Sequence, residues 1–364
     1  LIIYTFVILK QINYIQTKNL GYDKEHVLVL PMGGNMLQNF EVNKQAFREV
    51  PGVLSVTASY ETPEFVEWGD GVNVTNEDGV QKISVKAMPV DLDLVETLNV
   101  QLVAGRDFVK SDFALLDTTN QGANYKQPYI INETLAQKIG WTPEEAIGKS
   151  IEKGVSGPIL GVVKDFNFSS LHKPIGPLLI FLGRDFSRLY MLKINSADVP
   201  ATLARLENVW RERVGDRPFN YHFLDEDFDA LYKDEQRTAK LFSVSAGLAI
   251  VLACLGLFGL AAFSTVRRTK EIGIRKTLGA SLGDIVMLLG KNFLILVSIA
   301  ILIAAPLALW AARNWLQNFS YRIEPGANVF IIAALSTLVI TFLTVGYHSL
   351  KAARSNPVKS LRTE

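Results

Sequence analysis

Residues 241–265, LFSVSAGLAIVLACLGLFGLAAFST, decide the fold class of this chain. They contain no charged side chain. As an α-helix they would extend about 37 Å, enough to cross the hydrocarbon core of a bilayer. Two further uncharged stretches follow at 292–312 and 328–347. A buried core helix is the alternative for any one stretch, but three in succession predict transmembrane helices.

The residues before 241 have the composition of a water-soluble domain. The mean hydropathy of the whole chain is +0.19, although 20% of its 364 residues are charged. Between about 23 and 222, short strand patterns alternate with single helix patterns, which predicts an α+β domain of two small lobes. The polar, turn-rich stretch 112–127 is expected to connect the lobes.

Individual elements follow from the same patterns. Asp78-Gly79 is a predicted turn between two strands, and Asn132 is a predicted helix N-cap. Residues 225–240 are expected to form a charged helix that rises into the membrane. The predicted strands are 26–32, 53–60, 72–76, 81–88, 100–103, 129–131, 150–152, 159–163, 178–182 and 189–194, and the predicted helices are 37–50, 91–98, 132–139 and 201–214.

The first residues are apolar but short for a membrane span. Residues 1–9 would reach only about 13 Å as a helix, less than half of a bilayer core. They lack a basic leader and a small-residue cleavage site, which argues against a signal peptide. We expect the outer end of a truncated transmembrane helix, continued by a polar stalk over 10–22. The expected fold is therefore an α-helical transmembrane bundle of one truncated and three complete spans, with a large extracytoplasmic α+β domain.

Positive residues in the short connections predict the orientation of the spans. Segment 266–291 contains six Lys or Arg residues and the tail 348–364 contains four, whereas 313–327 contains two. Cytoplasmic loops carry the excess of Lys and Arg. We therefore expect a multi-pass membrane protein, with 266–291 and the C-terminus in the cytoplasm and the large domain outside. The outer aromatic belt would contain Trp310, Trp315 and Tyr321.

Several stretches resemble catalytic or ligand-binding motifs, but their residues do not have the spacing that those motifs require. Gly148-Lys149-Ser150 resembles the end of a P-loop, but Pro143 stands where that motif requires glycine, and 141–145 open a helix instead of following a strand. Cys254 is the single cysteine, and no Gly-x-Ser-x-Gly elbow occurs. We expect no catalytic residue, cofactor or metal site in this chain. The histidines lack metal-ligand spacing and are His26, His172, His222 and His348.

The most specific pattern is VRRTKEIGIRKTLGASLGDIVMLLGKNF, residues 266–293. Glu271 and Arg275 are four residues apart, in the order that favours a helical ion pair. Ile274 and Leu278 are expected to share one helix face. The pattern predicts a short amphipathic helix at the inner membrane surface, and a simple surface anchor is the alternative that amphipathicity alone favours.

The ends of this helix are also marked. Gly279 is placed to end it, because glycine readily adopts the left-handed conformation of a C-cap. Ser281 and Asp284 are spaced as a capping box for the helix that follows.

These residues resemble a known family. The run 270–276, KEIGIRK, with Leu278-Gly279-Ala280 resembles the REIGIR…GA hallmark of MacB/FtsX-type permeases. The tail 356–362, NPVKSLR, resembles their NPVEALR-like ending, with Lys359 where an acid is commoner. The stretches 132–136 and 159–166 resemble parts of the periplasmic MacB core domain, which has porter-like and sabre-like lobes.

The resemblance implies a division of the chain into three parts. Residues 1–17 would be the truncated first transmembrane helix and stalk, and 18–240 the periplasmic MacB-like core domain with its stalk helix. Residues 241–364 would be the FtsX-like transmembrane domain, with a cytoplasmic coupling helix at 266–280. The residues implied to contact an ATPase are Lys270, Glu271, Ile272, Gly273, Ile274, Arg275, Lys276, Leu278 and Gly279.

The function implied by the resemblance is that of an ABC transporter permease subunit, which is not itself an enzyme. The resemblance also implies a location in the bacterial cytoplasmic membrane, with the large domain in the periplasm. A separate ATPase would bind and hydrolyse ATP, and its movement would be passed to the periplasmic domain (mechanotransmission). The exported substrate would be an antimicrobial, a peptide or a lipoprotein. The uncharged spans are consistent with this, since ion-coupled carriers usually keep ionisable residues in the membrane.

Other partners and one alternative function accompany this hypothesis. The implied partners are the ABC ATPase, a second permease copy or tandem half, membrane lipid and a periplasmic adaptor. No nucleic-acid partner is expected, since the basic residues of 266–364 flank apolar runs. The alternative is an FtsX-like signalling protein that regulates a periplasmic cell-wall hydrolase. FtsX-type outer domains are small, whereas this one has about 200 residues.

Overall fold

The structure is a computed structural model that describes residues 2–33, 36–76, 79–116, 125–215 and 217–353. The chain divides into two compact units. The helical unit contains residues 1–17 and 233–364, and the α+β unit contains residues 18–232. Residues 233–240, which the sequence analysis assigns to the stalk of the soluble domain, lie in the helical unit.

The helical unit contains five helices, as far as the structure describes it. Three of them are long and apolar enough to cross a membrane, with mean hydropathies of 2.4, 2.7 and 2.4 in their apolar windows. They contain the predicted spans 241–265, 292–312 and 328–347. The helices are α1 (Ile2–Thr17), α8 (Lys233–Arg267), α9 (Thr269–Thr277), α10 (Leu282–Leu316) and α11 (Ala327–Ala353), numbered along the whole chain.

Helix α1 packs against α8, α10 and α11. Val7 of α1 is fully buried beside Ala312 and Leu316 of α10. Tyr4 lies edge-on to Phe242 of α8, with ring centroids 4.9 Å apart. Most large apolar side chains of α8, α10 and α11 face outward, as expected of helices surrounded by lipid rather than water.

The α+β unit contains eleven strands and six helices among its described residues. The strands are β1 (Val27–Pro31), β2 (Val53–Ser59), β3 (Gly69–Asn76), β4 (Gly79–Val90), β5 (Leu102–Gly105), β6 (Tyr129–Asn132), β7 (Ser150–Lys153), β8 (Val155–Val163), β9 (Leu178–Leu182), β10 (Leu189–Ile194) and β11 (His222–Phe223). The helices are α2 (Phe40–Arg48), α3 (Leu94–Thr97), α4 (Glu133–Ile139), α5 (Pro143–Ala146), α6 (Val199–Val214) and α7 (Leu224–Ala230).

The first lobe contains β1, β2, β10 and β11, with α2 and α6 packed on them. Strand β10 is central and pairs antiparallel with both β1 and β2. Helix α2 buries positions 40, 43, 44 and 47, the spacing of one helix face. The fully buried ring of Tyr190 lies 5.5 Å from Phe47, and its hydroxyl donates a hydrogen bond to the carbonyl of Phe40 at 3.1 Å.

The second lobe is a ring of strands around its own core. Its pairings run β4–β3–β7–β8–β6–β9 and return to β4, with β5 added to β8. All five residues of β9 are buried, as in strands covered on both faces. The predicted combination of a helical membrane bundle and an α+β domain with two lobes is therefore confirmed.

Asn132 joins three parts of the second lobe. Its side chain is fully buried, and its Oδ1 accepts hydrogen bonds from the amides of Leu135 at 3.0 Å and Leu178 at 2.8 Å. Its Nδ2 donates to Asp165 Oδ1 at 2.8 Å and to the carbonyl of Gly176 at 2.9 Å. The predicted N-cap of α4 is thus also a link to the 165–178 segment.

The expectation that 112–127 connects the lobes is wrong. The first lobe takes strands from both ends of the unit, and the core of the second lobe lies entirely between Val72 and Phe181. The chain leaves the first lobe at 60–68 and returns to it at 183–188, and α3, between these two points, also packs on β2 and β10 of the first lobe. The error arose because strands β3 and β4 precede the polar stretch in sequence, but pack with strands that follow it.

The charged helix expected over 225–240 is interrupted. Helix α7 ends at Ala230, two turn residues follow, and α8 begins at Lys233. Tyr232 is buried within the α+β unit, where its hydroxyl accepts a hydrogen bond from the amide of Leu171 at 2.8 Å. Three predictions concern residues that lie at least in part outside the described ranges, namely Asp78 in the predicted turn, 117–124 of the expected connection and the tail motif 356–362.

Candidate coupling surface

Helix α9 lies in the connection between α8 and α10. The chain barely interrupts its helical path here, since the amide of Arg268 still donates to the carbonyl of Ser264 at 3.2 Å. The amide of Ile272 in turn donates to the carbonyl of Arg268 at 3.0 Å. The predicted short helix of the 266–293 pattern is therefore present at Thr269–Thr277.

Both predicted end signals of this connection are present. Gly279 has a φ of +90°, in the left-handed region, and the amide of Ala280 donates to the carbonyl of Arg275 at 3.0 Å. This is the 6→1 bond of a Schellman C-cap. The amide of Asp284 donates to Ser281 Oγ at 3.2 Å, and the amide of Ser281 donates to Asp284 Oδ2 at 3.0 Å. The geometry fixes where α9 ends and α10 begins.

One side of α9 packs onto the start of α10. Ile272 forms a small buried cluster with Ile285 and Leu289. Gly273 is buried as well. This side of α9 is therefore covered by other residues of the same chain, and it is not available to a partner. Sequence reasoning missed it, although Ile285 and Leu289 are spaced i,i+4 and mark an apolar stripe on α10.

The other side of α9 presents charges and apolar groups to the surroundings. Ile274 is 51% exposed and Leu278 is 81% exposed. Arg275 Nη2 lies 3.0 Å from Glu271 Oε1, and both side chains are about half exposed. An ion pair of this kind contributes only about 0.5 kcal/mol. Lys270 is also exposed.

The nine residues predicted for ATPase contact thus divide by position. Ile272 and Gly273 face the chain itself, while Lys270, Glu271, Ile274, Arg275 and Leu278 remain accessible to a partner. Gly279 provides the cap described above. The side chain of Lys276 lies outside the part that the structure describes.

The rejected nucleotide and metal sites can also be placed. Thr142 and Glu145 form a capping box at the start of α5, so the residues before Gly148 are helical, as predicted. Gly148 follows that helix and has a φ of +80°. Within the described ranges, no group of three or more His, Cys, Asp or Glu side chains is arranged to hold a metal ion.

Comparison with known proteins matches the chain to one permease family and to individual transporter proteins. Residues 243–357 match the family described as FtsX-like permease C-terminal. The chain is 24% identical over 265 residues to the macrolide export ATP-binding/permease protein MacB of Bdellovibrio bacteriovorus, which covers 69% of this chain and 39% of that protein. It is 22% identical over 285 residues to the uncharacterized ABC transporter permease YknZ of Bacillus subtilis, which covers 73% and 67%. The chain therefore spans less than half the length of the MacB relative.

Two solved structures also resemble the chain. The periplasmic region of MacB from Actinobacillus actinomycetemcomitans aligns with 59% of this chain and 97% of its own, at 15% identity and a TM-score of 0.38. The extracellular domain of YknZ from Gram-positive bacteria aligns with 54% and 98%, at 15% identity and a TM-score of 0.36.

The three membrane-length helices, the capped helix between the first two of them and the α+β unit are the parts that the resemblance implies. The predicted resemblance is confirmed by the matches. The chain is similar to ABC transporter permeases of the MacB/FtsX type, and residues 243–357 match the family described as FtsX-like permease C-terminal.

Proposed function

We propose that this chain is the permease subunit of an ABC transporter and that segment 266–280, which contains α9, docks on a separate ATPase. ATP hydrolysis there would move the α+β unit outside the membrane and so drive export of a substrate such as an antimicrobial, a peptide or a lipoprotein. Relatives named export ATP-binding/permease proteins support an ATPase partner. The chain itself would have no enzymatic activity.

The observation that carries this proposal is the accessible side of α9. Ile274 and Leu278 leave apolar surface uncovered beside the Glu271–Arg275 pair, at a position fixed by two caps. A partner that covers this surface would gain from apolar burial, at about 25 cal/mol per Å². It would also meet a defined pattern of charge, which supports specificity.

The composition of the spans supports transmission of movement over passage of a polar substrate. None of 241–265, 292–312 and 328–347 contains Asp, Glu, Lys, Arg or His. Polar pathways through membranes are normally marked by such residues. We therefore propose that the substrate is moved by the extracytoplasmic part. The further proposed partners are a second permease copy or tandem half, membrane lipid and a periplasmic adaptor.

A charge swap separates docking from simple anchoring at the membrane surface. In the double variant Glu271→Arg with Arg275→Glu, the helical ion pair can form again and the number of charges is unchanged. A lipid anchor would tolerate this change, whereas a partner would meet the reversed charge pattern. We expect an ATP-hydrolysing subunit to be recovered with the affinity-tagged natural chain from native membranes, and to be reduced at least about tenfold with the swap.

An apolar substitution gives a second, independent probe. Leu278→Ser should reduce the same recovery, while Met287→Ser is the matched control, because Met287 is 64% exposed on α10 beyond the cap. Gly273 is a weaker probe, since it is buried and a side chain added there would alter the packing within the chain. Full recovery of the ATPase with both the swap and Leu278→Ser, at equal membrane levels, would leave the anchor as the role of α9.

A further inference from the structure

The end of α10 and the connection from α10 to α11 line an open polar cavity. It has a volume of about 370 Å³, and its charged lining residues are Arg313, Arg322 and Glu324. The remaining lining is Gln317 with three apolar residues. Both arginines and the glutamate are exposed. Among the residues that the structure describes, none of the three forms an ion pair, so the cavity offers two cations and one anion without partners.

The position of Arg322 is fixed from both sides by helix α1. Gln11 is fully buried, and its Nε2 donates a hydrogen bond to the carbonyl of Tyr321 at 2.8 Å. Its Oε1 accepts from the amide of Ile323 at 2.9 Å. The residues on either side of Arg322 are therefore both held by one side chain. A free surface arginine would not require such support.

Arg313 is held by a different element. It lies in the last turn of α10 between Ala312 and Leu316, which are buried against α1. The two guanidinium groups thus belong to separate, fixed parts of the helical unit and line the same cavity. Paired guanidinium groups are suited to phosphate, because each offers several donors in a planar fork.

A second, apolar cavity adjoins the first. It has a volume of about 300 Å³ and extends along α10 beside Pro306, Leu309 and Trp310. Arg313 and Gln317 line both cavities, and Asn314 also lines the second one. The apolar cavity reaches about 10 Å from Arg313 into the membrane-spanning part of α10. An amphipathic ligand could place its charged head in the polar cavity and its apolar chain in the second cavity.

We propose that the two cavities bind a phospholipid whose headgroup carries a phosphate and a primary ammonium, such as phosphatidylethanolamine. The phosphate would lie between Arg313 and Arg322, and the ammonium would donate to Glu324. One acyl chain would follow Pro306 and Trp310. Helix α1, through Gln11, is a positioning element of this site.

Glu324 selects among the possible occupants. A free phosphate or an anionic lipid would leave this carboxylate unpaired beside a like charge, which is unfavourable. A choline headgroup would neutralise the carboxylate but has no N–H to donate. The headgroup with a primary ammonium is the one that satisfies all three charged side chains.

Native mass spectrometry of the full chain tests the site. The protein in detergent is exposed to equal amounts of phosphatidylethanolamine, phosphatidylcholine and phosphatidylglycerol, and retained lipid is measured. We expect retention of phosphatidylethanolamine to exceed that of the others and to fall roughly tenfold in Arg322→Gln and Arg313→Gln. Arg267→Gln is the matched control, because Arg267 is an exposed arginine at the end of α8, outside the cavity.

Two further experiments test which headgroup is bound and whether free phosphate can replace it. Glu324→Gln should remove the preference for phosphatidylethanolamine over phosphatidylglycerol without lowering the melting temperature. Millimolar inorganic phosphate should leave the retained lipid in place. The proposal is overturned by equal retention of the three lipids by the natural chain, by unchanged retention in both arginine variants, or by displacement of the lipid by phosphate alone.

Discussion

The side-chain amide of Gln11 pairs with the main chain of Ile323 in the manner of a neighbouring strand, 312 residues away along the chain. The Ile323 amide donates to Gln11 Oε1 at 2.9 Å, and Gln11 Nε2 donates to the carbonyl of Tyr321 at 2.8 Å. A fully buried glutamine of α1 thus holds the loop that joins α10 to α11.

Replacing Gln11 should loosen this loop. Gln11→Met keeps the length of the side chain but removes both hydrogen bonds to the main chain of the loop, at a cost of about 1–3 kcal/mol. We expect a lower melting temperature of the purified chain in detergent. Gln16→Met is the control, because Gln16 is exposed on the same helix. Equal melting temperatures for the two variants would contradict this role for Gln11.

The buried carboxyl group of Glu64 should make stability depend on pH. Glu64 is 3% exposed, and its Oε2 has no hydrogen-bond partner among the described residues. Burial raises its pKa from 4.5 to about 8, and the nearby Asp227 acts in the same direction, while hydrogen bonds and Lys24 oppose the shift. The folded state therefore keeps the proton that the unfolded state loses above about pH 4.5.

This stabilisation is complete below the unfolded pKa and is lost as pH rises through about 8. We expect the melting temperature of the natural chain to fall between pH 5 and pH 9 by more than that of Glu64→Gln, which cannot ionise. Glu212→Gln, at an exposed position of α6, should behave as the natural chain does. Parallel pH curves for Glu64→Gln and the natural chain would show that Glu64 is already ionised in the folded protein.

Asn132 should be one of the most sensitive polar positions of the second lobe. Its four hydrogen bonds join the start of α4 to Asp165, Gly176 and Leu178. Asn132→Ala removes an N-cap and leaves buried groups unpaired, so we expect a loss of about 2–4 kcal/mol in the free energy of unfolding. Denaturant unfolding measures it. Asn195→Ala is the control, since Asn195 is an exposed cap that bonds only the amide of Ala197. A loss no larger than that of the control would refute the assignment.

Labelling of single cysteines should establish the orientation. In a Cys254→Ser background, we expect Glu212→Cys to react with an impermeant reagent from outside the cytoplasmic membrane. Leu278→Cys, at a position that is 81% exposed, should react only after lysis. The expectation follows from the Lys and Arg residues of 266–291. Reaction of Leu278→Cys in intact spheroplasts would reverse the predicted topology.

Local patterns in the sequence were sufficient for most elements of the structure. Strands β9 and β10 lie at the predicted bounds, because short apolar runs between turn residues favour buried strands over other structures. The ends of α9 followed from Gly279 and the Ser281–Asp284 spacing, since caps are local features. What local patterns could not predict is pairing between distant segments, such as β4 with β9 or Gln11 with Ile323.

The same distinction applies to the candidate site. The charge pattern of 270–276 predicted the helix and its ion pair, which depend on neighbours four residues apart. The burial of Ile272 depends on its packing against Ile285 and Leu289 of α10 and was not predictable from the motif. The break at residues 231–232 was also missed, because helical propensity continues through it while the burial of Tyr232 is a tertiary effect.

The insertion of the second lobe within the first has a consequence for synthesis of the chain. Strand β10 lies between β1 and β2, so the first sheet cannot be completed until residues 189–194 have emerged. All strands of the second lobe end by Leu182. Chains emerge N-terminus first, and pairings between distant segments form slowly. The second lobe can therefore fold while β1 and β2 still lack their central partner, and the interval of greatest aggregation risk is the emergence of the roughly 130 residues between β2 and β10.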